Sequence, residues 1–168
     1  MVAEMTPLDA YVGDILGAVR AESFYSALAL SLVIPEICGA IEYPAITDSN
    51  ERYRTWFREW CGLLHSLMTP ADCWAIRCSY LHLARDQFSG AAAKHADLAN
   101  IFFTKGKTEG GWYSTFFPMP TGPKGAVRIP VETFCRDMAH AANGWQKCRG
   151  HDPRIAQGIA ELLEIRPA

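Results

Sequence analysis

The chain has 168 residues, of which 49% are hydrophobic and 20% are charged, and its formal net charge is −2. This size and composition are typical of one folded domain and argue against a disordered chain. The small net charge excludes a global basic field, so any binding of nucleic acid must depend on a local site. We therefore predict one domain that spans residues 1–168.

Two features of the N-terminal half bear on cellular location. The first residues include Glu4 and no basic segment, which argues against a secretory signal. The longest apolar stretch, Ala27 to Ile34, is far shorter than the roughly 20 residues of a membrane-spanning helix. From these observations we expect a cytoplasmic protein that does not associate with a membrane.

Two helices are predicted before residue 44. Thr6-Pro7 is typical of a helix start, and apolar residues then recur at helical spacing over about residues 8–20. A mostly apolar helix is predicted over about residues 21–34. Pro35 is expected to kink or end this helix because proline lacks the N–H that the helix needs. Residues 36–43 could resume it as a short segment, with Pro35 at a new first position.

The next helix has the most regular amphipathic pattern in the chain. Asp48 and Glu51 resemble a capping box at its start. An aromatic stripe beside arginines could stack RNA bases, but apolar residues at this spacing are far more typical of a core. We therefore expect the stripe to be buried. Its members are Tyr53, Trp56, Phe57, Trp60, Cys61 and Leu64.

Residues 101–130 differ in composition from the rest of the chain. Glycine and proline become frequent and separate three stretches that are rich in β-forming residues. We predict a small antiparallel β-meander inserted in a helical protein. This basic region is either an arm that binds nucleic acid or a partner, or a solvated hairpin whose lysines protect exposed edges. The candidate substrate-binding residues are Lys105, Lys107, Lys124 and Arg128.

Helical patterns return over about residues 131–148 and 153–163. The chain has six cysteines but no CxxC pair, which favours reduced cysteines in the core over a zinc site or a disulfide framework. We predict no metal site and no cofactor. The cysteines are Cys38, Cys61, Cys73, Cys78, Cys135 and Cys148.

The helix that begins near residue 69 carries the strongest indication of function. The segment Thr69-Pro70-Ala71-Asp72 is typical of a helix start, and the helix is expected to end between residues 87 and 90. Arg77 and His82 lie in the middle of this mostly apolar segment. They are five positions apart, which separates them by about 140° around an ideal helix.

The segment Arg77-Cys78-Ser79-Tyr80-Leu81-His82 resembles the Arg-x(4–6)-His motif of the HEPN superfamily. The resemblance covers mainly residues 69–88. It implies a small α-helical domain that often dimerises, and many members are metal-independent endoribonucleases. In many of these nucleases a polar residue such as Asn or Asp follows the arginine, whereas Cys78 stands at that position here. Some members of the superfamily lack activity.

RNA cleavage without a metal gives each motif residue a chemical role. The ribose 2′-hydroxyl is the nucleophile, and histidine has a suitable pKa range for moving its proton near neutral pH. Arginine can stabilise the charge that develops on the phosphate. Because about 140° separates the two positions, one helix cannot easily aim both side chains at one target. Two copies related by a two-fold axis could pool them.

The resemblance and the element pattern together predict a mainly α protein. We expect a HEPN-like bundle of five or six helices with a β insertion at about residues 101–130. The predicted activity is that of a homodimeric endoribonuclease of a toxin or phage-defence type, with Arg77 and His82 as catalytic residues. RNA is the expected substrate, and an antitoxin or other protein is a candidate partner.

Other interpretations of the motif remain open. Arg77 could pair with an acid such as Asp72 or Glu59, and His82 could be a hydrogen-bonded histidine at a helix contact. The chain would then be a non-catalytic HEPN-like module that binds a nucleotide or a protein, or a purely structural dimer from a mobile element. Glu36 and Glu42 are six apart, which aligns poorly on a helix, so solvated or capping acids are expected there.

Overall fold

A computed structural model describes residues 5–62, 64, 67–85, 88, 93–106, 116–118 and 124–165. Within these residues the chain is mainly helical, as predicted. The helices are α1 (Pro7–Arg20), α2 (Phe24–Glu42), α3 (Ser49–Trp60), α4 (Pro70–Leu83), α5 (Val131–Arg149) and α6 (Pro153–Ala160), and the strands are β1 (Asn100–Thr104), β2 (Phe116–Pro118) and β3 (Gly125–Pro130).

The starts of α1 and α3 follow local sequence signals. Thr6 and Asp9 form a reciprocal capping box at α1, with Pro7 in the first turn. At α3 the Asp48 carboxylate accepts from the N–H of Asn50 at 2.9 Å, in place of the predicted box with Glu51. Both helices therefore begin where expected, although α3 has the simpler cap.

Helix α2 continues through Pro35 to Glu42, so the helix does not end at Pro35, and residues 36–42 extend it as the sequence allowed. An interior proline costs a helix about 3 kcal/mol or more. Here Leu32 and Cys38, on either side of Pro35, are fully buried, and α2 packs on α1, α3 and α5. Burial of this apolar face offsets the missing hydrogen bond. Gly39 permits close packing, since a Cβ there would lie 3.0 Å from the carbonyl oxygen of Arg52.

Because α2 continues through Pro35, the helix is 19 residues long, well beyond the apolar stretch Ala27 to Ile34. By length and composition, α2 is the one helix in the described part of the chain that could cross a membrane. A buried core helix passes the same test. In this fold 44% of the apolar 18-residue stretch within α2 is buried against the rest of the protein.

The aromatic stripe on α3 forms part of the core, as predicted. Tyr53, Trp56 and Phe57 are completely buried. The Trp56 ring meets Trp145 of α5 edge to face at 6.4 Å, and the Tyr53 ring meets Trp74 of α4 at 5.1 Å. These contacts join α3 to the helices on either side of it.

The strands form a mixed sheet, so the prediction of an antiparallel meander is wrong. The order is β1-β3-β2, with β3 parallel to β1 and antiparallel to β2. Glycine and proline mark where strands end, but they do not determine which strands pair. Ile101, Val127 and Ile129 are buried, and the Phe103 ring meets Phe134 of α5 at 5.2 Å. The sheet therefore packs onto the helical core.

Asp72 joins the start of α4 to the segment that enters the sheet. Its Oδ2 accepts from both the N–H and the hydroxyl of Thr69 at 2.8 Å, completing a capping box. Its Oδ1 accepts from the N–H groups of Asp97 at 2.7 Å and Leu98 at 2.8 Å. The carboxylate is thus fully engaged in building the fold, and Asp72 is not the partner of Arg77.

Candidate functional site

Helix α4 places Arg77 and His82 near its C-terminal end. The helix stops at Leu83, before the predicted limit of residues 87–90. The stop is made by Ala84, which has a left-handed backbone with φ of 50°. Its N–H donates to the Tyr80 carbonyl at 2.9 Å. His82 consequently lies exposed in the last helical turn.

Arg77 is held by groups from two helices. Its Nη2 forms an ion pair with Oε2 of Glu36 on α2, and its guanidinium carbon lies 5.1 Å from the centre of the Trp74 ring. The side chain is 16% exposed and that of Glu36 is 30% exposed. The neighbouring ring and carboxylate restrict the guanidinium to one orientation.

The second terminal nitrogen of Arg77 faces His82. Arg77 Nη1 and His82 Nε2 lie 3.5 Å apart within one chain, at the upper limit of a hydrogen bond. Because a guanidinium has only donors, Nε2 can accept from it only when the ring proton is on Nδ1. The long arginine side chain spans the helical angle of about 140°, so that angle does not require two copies of the chain.

Cys78 borders the same cluster. Burial raises the pKa of its thiol, the nearby Arg77 charge lowers it, and the Glu36 charge raises it further. Since the net effect is a raised pKa, the group is a neutral thiol near pH 7. Cys78 therefore contributes no negative charge beside Arg77.

The cluster has the two groups that the predicted chemistry needs. Arg77 Nη1 offers a fixed cationic donor, and the exposed His82 ring offers a proton acceptor and donor a hydrogen-bond length away. Glu36 occupies Nη2, which leaves Nη1 as the guanidinium nitrogen that faces the histidine. A phosphate oxygen that met Nη1 would lie beside the imidazole.

The predicted basic residues do not share one environment. Lys124 is half-buried and donates to the carbonyls of Ala93, at 3.1 Å, and Ala96, which is a structural role. Lys105 is exposed just after β1, and Arg128 is exposed on β3. Lys107 lies outside the described residues.

Two residues of the cluster were missed as site residues. Glu36 was expected to be a solvated or capping acid, and Trp74 was not singled out. The sequence offered one signal for Glu36, because a charged residue inside an otherwise apolar helix usually has a partner. The pairing of Glu36 with Arg77 was not predictable, because the two residues are 41 positions apart on different helices. Glu59, one of the suggested acids, accepts instead from the Tyr43 hydroxyl at 2.5 Å.

Glu42, the last residue of the same helix, forms a second ion pair. Its Oε1 accepts from Nε and Nη2 of Arg149 at 3.0 and 2.7 Å, and its Oε2 accepts from Nε1 of Trp145 at 2.8 Å. The Arg154 guanidinium donates to the carbonyls of Ile41 and Glu42. These cations bind the C-terminal end of α2, where the helix dipole favours positive charge.

The cysteines mostly follow the prediction of core residues. Cys38, Cys61, Cys73 and Cys135 are buried, whereas Cys78 is half-buried and Cys148 is exposed. Among the residues that the structure describes, no group of three or more His, Cys, Asp and Glu side chains could hold a metal ion.

Comparison of the chain with models of protein families, with curated proteins and with solved structures found no match.

Proposed function

We propose that the chain is a metal-independent endoribonuclease of the HEPN type. The observation that carries the proposal is the 3.5 Å approach of Arg77 Nη1 to His82 Nε2 at an exposed helix end. The motif resemblance supplies the reaction class, and the ion pair with Glu36 supplies a reason why the arginine is held in place.

In the proposed reaction His82 takes the proton of a ribose 2′-hydroxyl. The 2′-oxygen attacks the adjacent phosphorus, the bond from phosphorus to the 5′-oxygen breaks, and the proton on His82 passes to that leaving oxygen. Arg77 donates from Nη1 to a non-bridging phosphate oxygen as charge develops there. The products are a 2′,3′-cyclic phosphate and a 5′-hydroxyl.

The proposal is tested by incubating the protein with total RNA in EDTA. We expect cleavage by the parent protein and about 10²- to 10⁴-fold less by His82→Ala, which lacks the acid–base group. His151→Ala is the matched control because His151 is another exposed histidine, located in the turn before α6. Cleavage by none of the three, or equal cleavage by all, would contradict the proposal.

A second candidate is a non-catalytic HEPN-like module that binds a nucleotide or a protein partner. One observation favours it: Glu36 already occupies part of the Arg77 fork, and Arg77 is only 16% exposed. The same assay distinguishes the two functions. Nucleotide binding by a protein that leaves RNA intact would favour the module over the nuclease.

The resemblance also supports proposals about assembly and setting. We propose that the protein acts as a cytoplasmic homodimer of a toxin or phage-defence type, with an antitoxin as a candidate partner. Light scattering of the purified protein tests the dimer. A monomer that cleaves RNA would contradict the dimer and leave the nuclease proposal intact, because one chain already brings Arg77 and His82 together.

A further inference from the structure

Tyr25 is an exposed aromatic residue near the start of α2. Four large hydrophobic side chains are strongly exposed in the described part of the chain. Three of them, Met5, Leu163 and Ile165, lie near the ends of the sequence, whereas Tyr25 is 83% exposed in a helix that buries nine of its 19 residues. Its ring therefore presents a flat apolar face to solvent.

Tyr25 lies next to the helix that carries the motif. The hydroxyl of Tyr80 donates to the Tyr25 carbonyl at 3.1 Å, which joins α4 to the start of α2. Tyr80 follows Arg77 by three positions and so lies on the same face of α4. This hydrogen bond thus joins Tyr25 to the face of α4 that carries Arg77.

Positive charge is found at the same end of α2. Lys105 Nζ lies 5.4 Å from the centre of the Phe24 ring, and Phe24 adjoins Tyr25 in sequence. Arg85 is exposed two positions beyond the end of α4. Glu22 is the exposed acid just before α2. An exposed aromatic ring at Tyr25, next in sequence to a phenylalanine that Lys105 contacts, matches the needs of an unpaired nucleotide, which offers a base to stack and a phosphate to neutralise.

We propose that Tyr25 is a stacking platform for an unpaired base of single-stranded RNA and that Lys105 contacts an adjoining phosphate. The RNA would run from Arg77 and His82 past Tyr80 to Tyr25. This inference rests on the proposed nuclease function and specifies its substrate as single-stranded. Bases inside a duplex are already stacked on one another, so they are not available to the ring.

The test measures RNA binding separately from cleavage. Every variant is built in the His82→Ala background, and fluorescence anisotropy follows a short labelled oligouridylate. Tyr25→Ala is expected to raise Kd roughly 5- to 150-fold, the equivalent of one lost stacking contact, while Tyr25→Phe keeps the affinity. Lys105→Ala should weaken binding and lower the salt dependence by about one phosphate contact.

Leu163→Ala is the matched control, since it removes an exposed apolar side chain elsewhere and should leave Kd unchanged. Unlabelled single-stranded RNA should compete for binding, and duplex RNA should not. Unchanged Kd in Tyr25→Ala, or no binding by the His82→Ala parent, would overturn the inference.

The binding test and the nuclease test can fail independently. If the protein with His82 intact cleaves RNA while Tyr25→Ala binds normally, the stacking site is wrong and the nuclease stands. If the RNA is bound through Tyr25 but the protein with His82 intact leaves it uncut, the stacking site stands and the nuclease is wrong.

Discussion

Helix α2 carries two glutamates, Glu36 and Glu42, and each forms an ion pair with an arginine from another helix. The Glu42 carboxylate is 7% exposed, and both of its oxygens accept hydrogen bonds from α5. It joins the end of α2 to that helix, and fold stability alone explains its position.

The Glu36 pair has different neighbours. Glu36 lies in the middle of α2, its partner Arg77 is packed over Trp74, and the other terminal nitrogen of Arg77 faces the exposed His82. Ion pairing is common to both sites, so it does not by itself indicate function. The difference lies in the exposed histidine and in the guanidinium nitrogen that faces it, which together form the pair that we propose to be reactive.

The largest expected difference between the two pairs is in RNA cleavage. Arg77→Lys should lower the rate of RNA cleavage in EDTA about 10²- to 10³-fold. The single ammonium group of lysine cannot replace the planar guanidinium, whose two terminal nitrogens can bind Glu36 and a phosphate at the same time. Arg149→Lys is the matched change in the Glu42 pair and should leave the rate unchanged. Equal losses in both variants would mean that the two pairs have the same structural role.

The next expected effect is on the free energy of unfolding, where the Glu42 pair should matter more than the Glu36 pair. Glu42→Ala should lower the free energy of unfolding by about 2–4 kcal/mol, since it leaves the buried Nε1 of Trp145 without its acceptor. Glu36→Ala should cost about 1 kcal/mol or less, because that pair is partly solvated. Urea denaturation measures both. A larger loss in Glu36→Ala would contradict this contrast.

Cys78 provides a chemical probe of the Glu36 pair. Its pKa is raised, so little of the reactive thiolate is present near neutral pH. Glu36→Gln removes a charge that raises the pKa and should speed alkylation several-fold. Arg77→Met removes a charge that lowers the pKa and should slow it. Mass spectrometry after iodoacetamide treatment measures the rates, with exposed Cys148 as the reference thiol. Changes of the opposite sign would contradict the placement of these charges.

The smallest expected effect is a change in the free energy of unfolding at the residue that follows α4, which differs from its counterpart after α5. α4 is followed by Ala84, which is left-handed, whereas α5 is followed by Gly150, which has φ of −64°. Ala84→Gly should raise the free energy of unfolding by about 1 kcal/mol by relieving this strain. Ala10→Gly, at an exposed position inside α1, should lower it by about 1 kcal/mol. Loss of stability in Ala84→Gly would exclude the left-handed turn after His82.

The sequence predicted those parts of the fold that depend on neighbouring residues. The capping boxes at Thr6 and Thr69 are local, and α1 and α4 begin where these residues indicate. Passage of α2 through Pro35 depends on burial against helices that are distant in sequence. The pairing of β1 with β3 is also non-local, and composition carried no information about it.

The candidate site likewise has residues that the local sequence predicted and contacts that depend on distant parts of the chain. Arg77 and His82 were predicted because their spacing is a recognisable pattern. Their 3.5 Å approach was not, because it depends on the conformation of the long arginine side chain and not only on the angle between the two helical positions. Glu36 is 41 positions from Arg77, so their pairing requires the packing of α2 on α4. Lys124 was predicted from local charge, whereas its role is set by carbonyls about thirty positions away.

The central claim is that the Arg77–His82 pair cleaves RNA through the ribose 2′-hydroxyl without a metal. Its most direct test is the rate of cleavage, in EDTA, of a labelled single-stranded RNA and of the same strand with 2′-deoxyribose at the cleaved nucleotide. We predict that the parent protein cuts the first strand and leaves the second intact at that position, with a 2′,3′-cyclic phosphate on the product. Cleavage at the deoxy position, or an equal rate by His82→Ala, would contradict the claim.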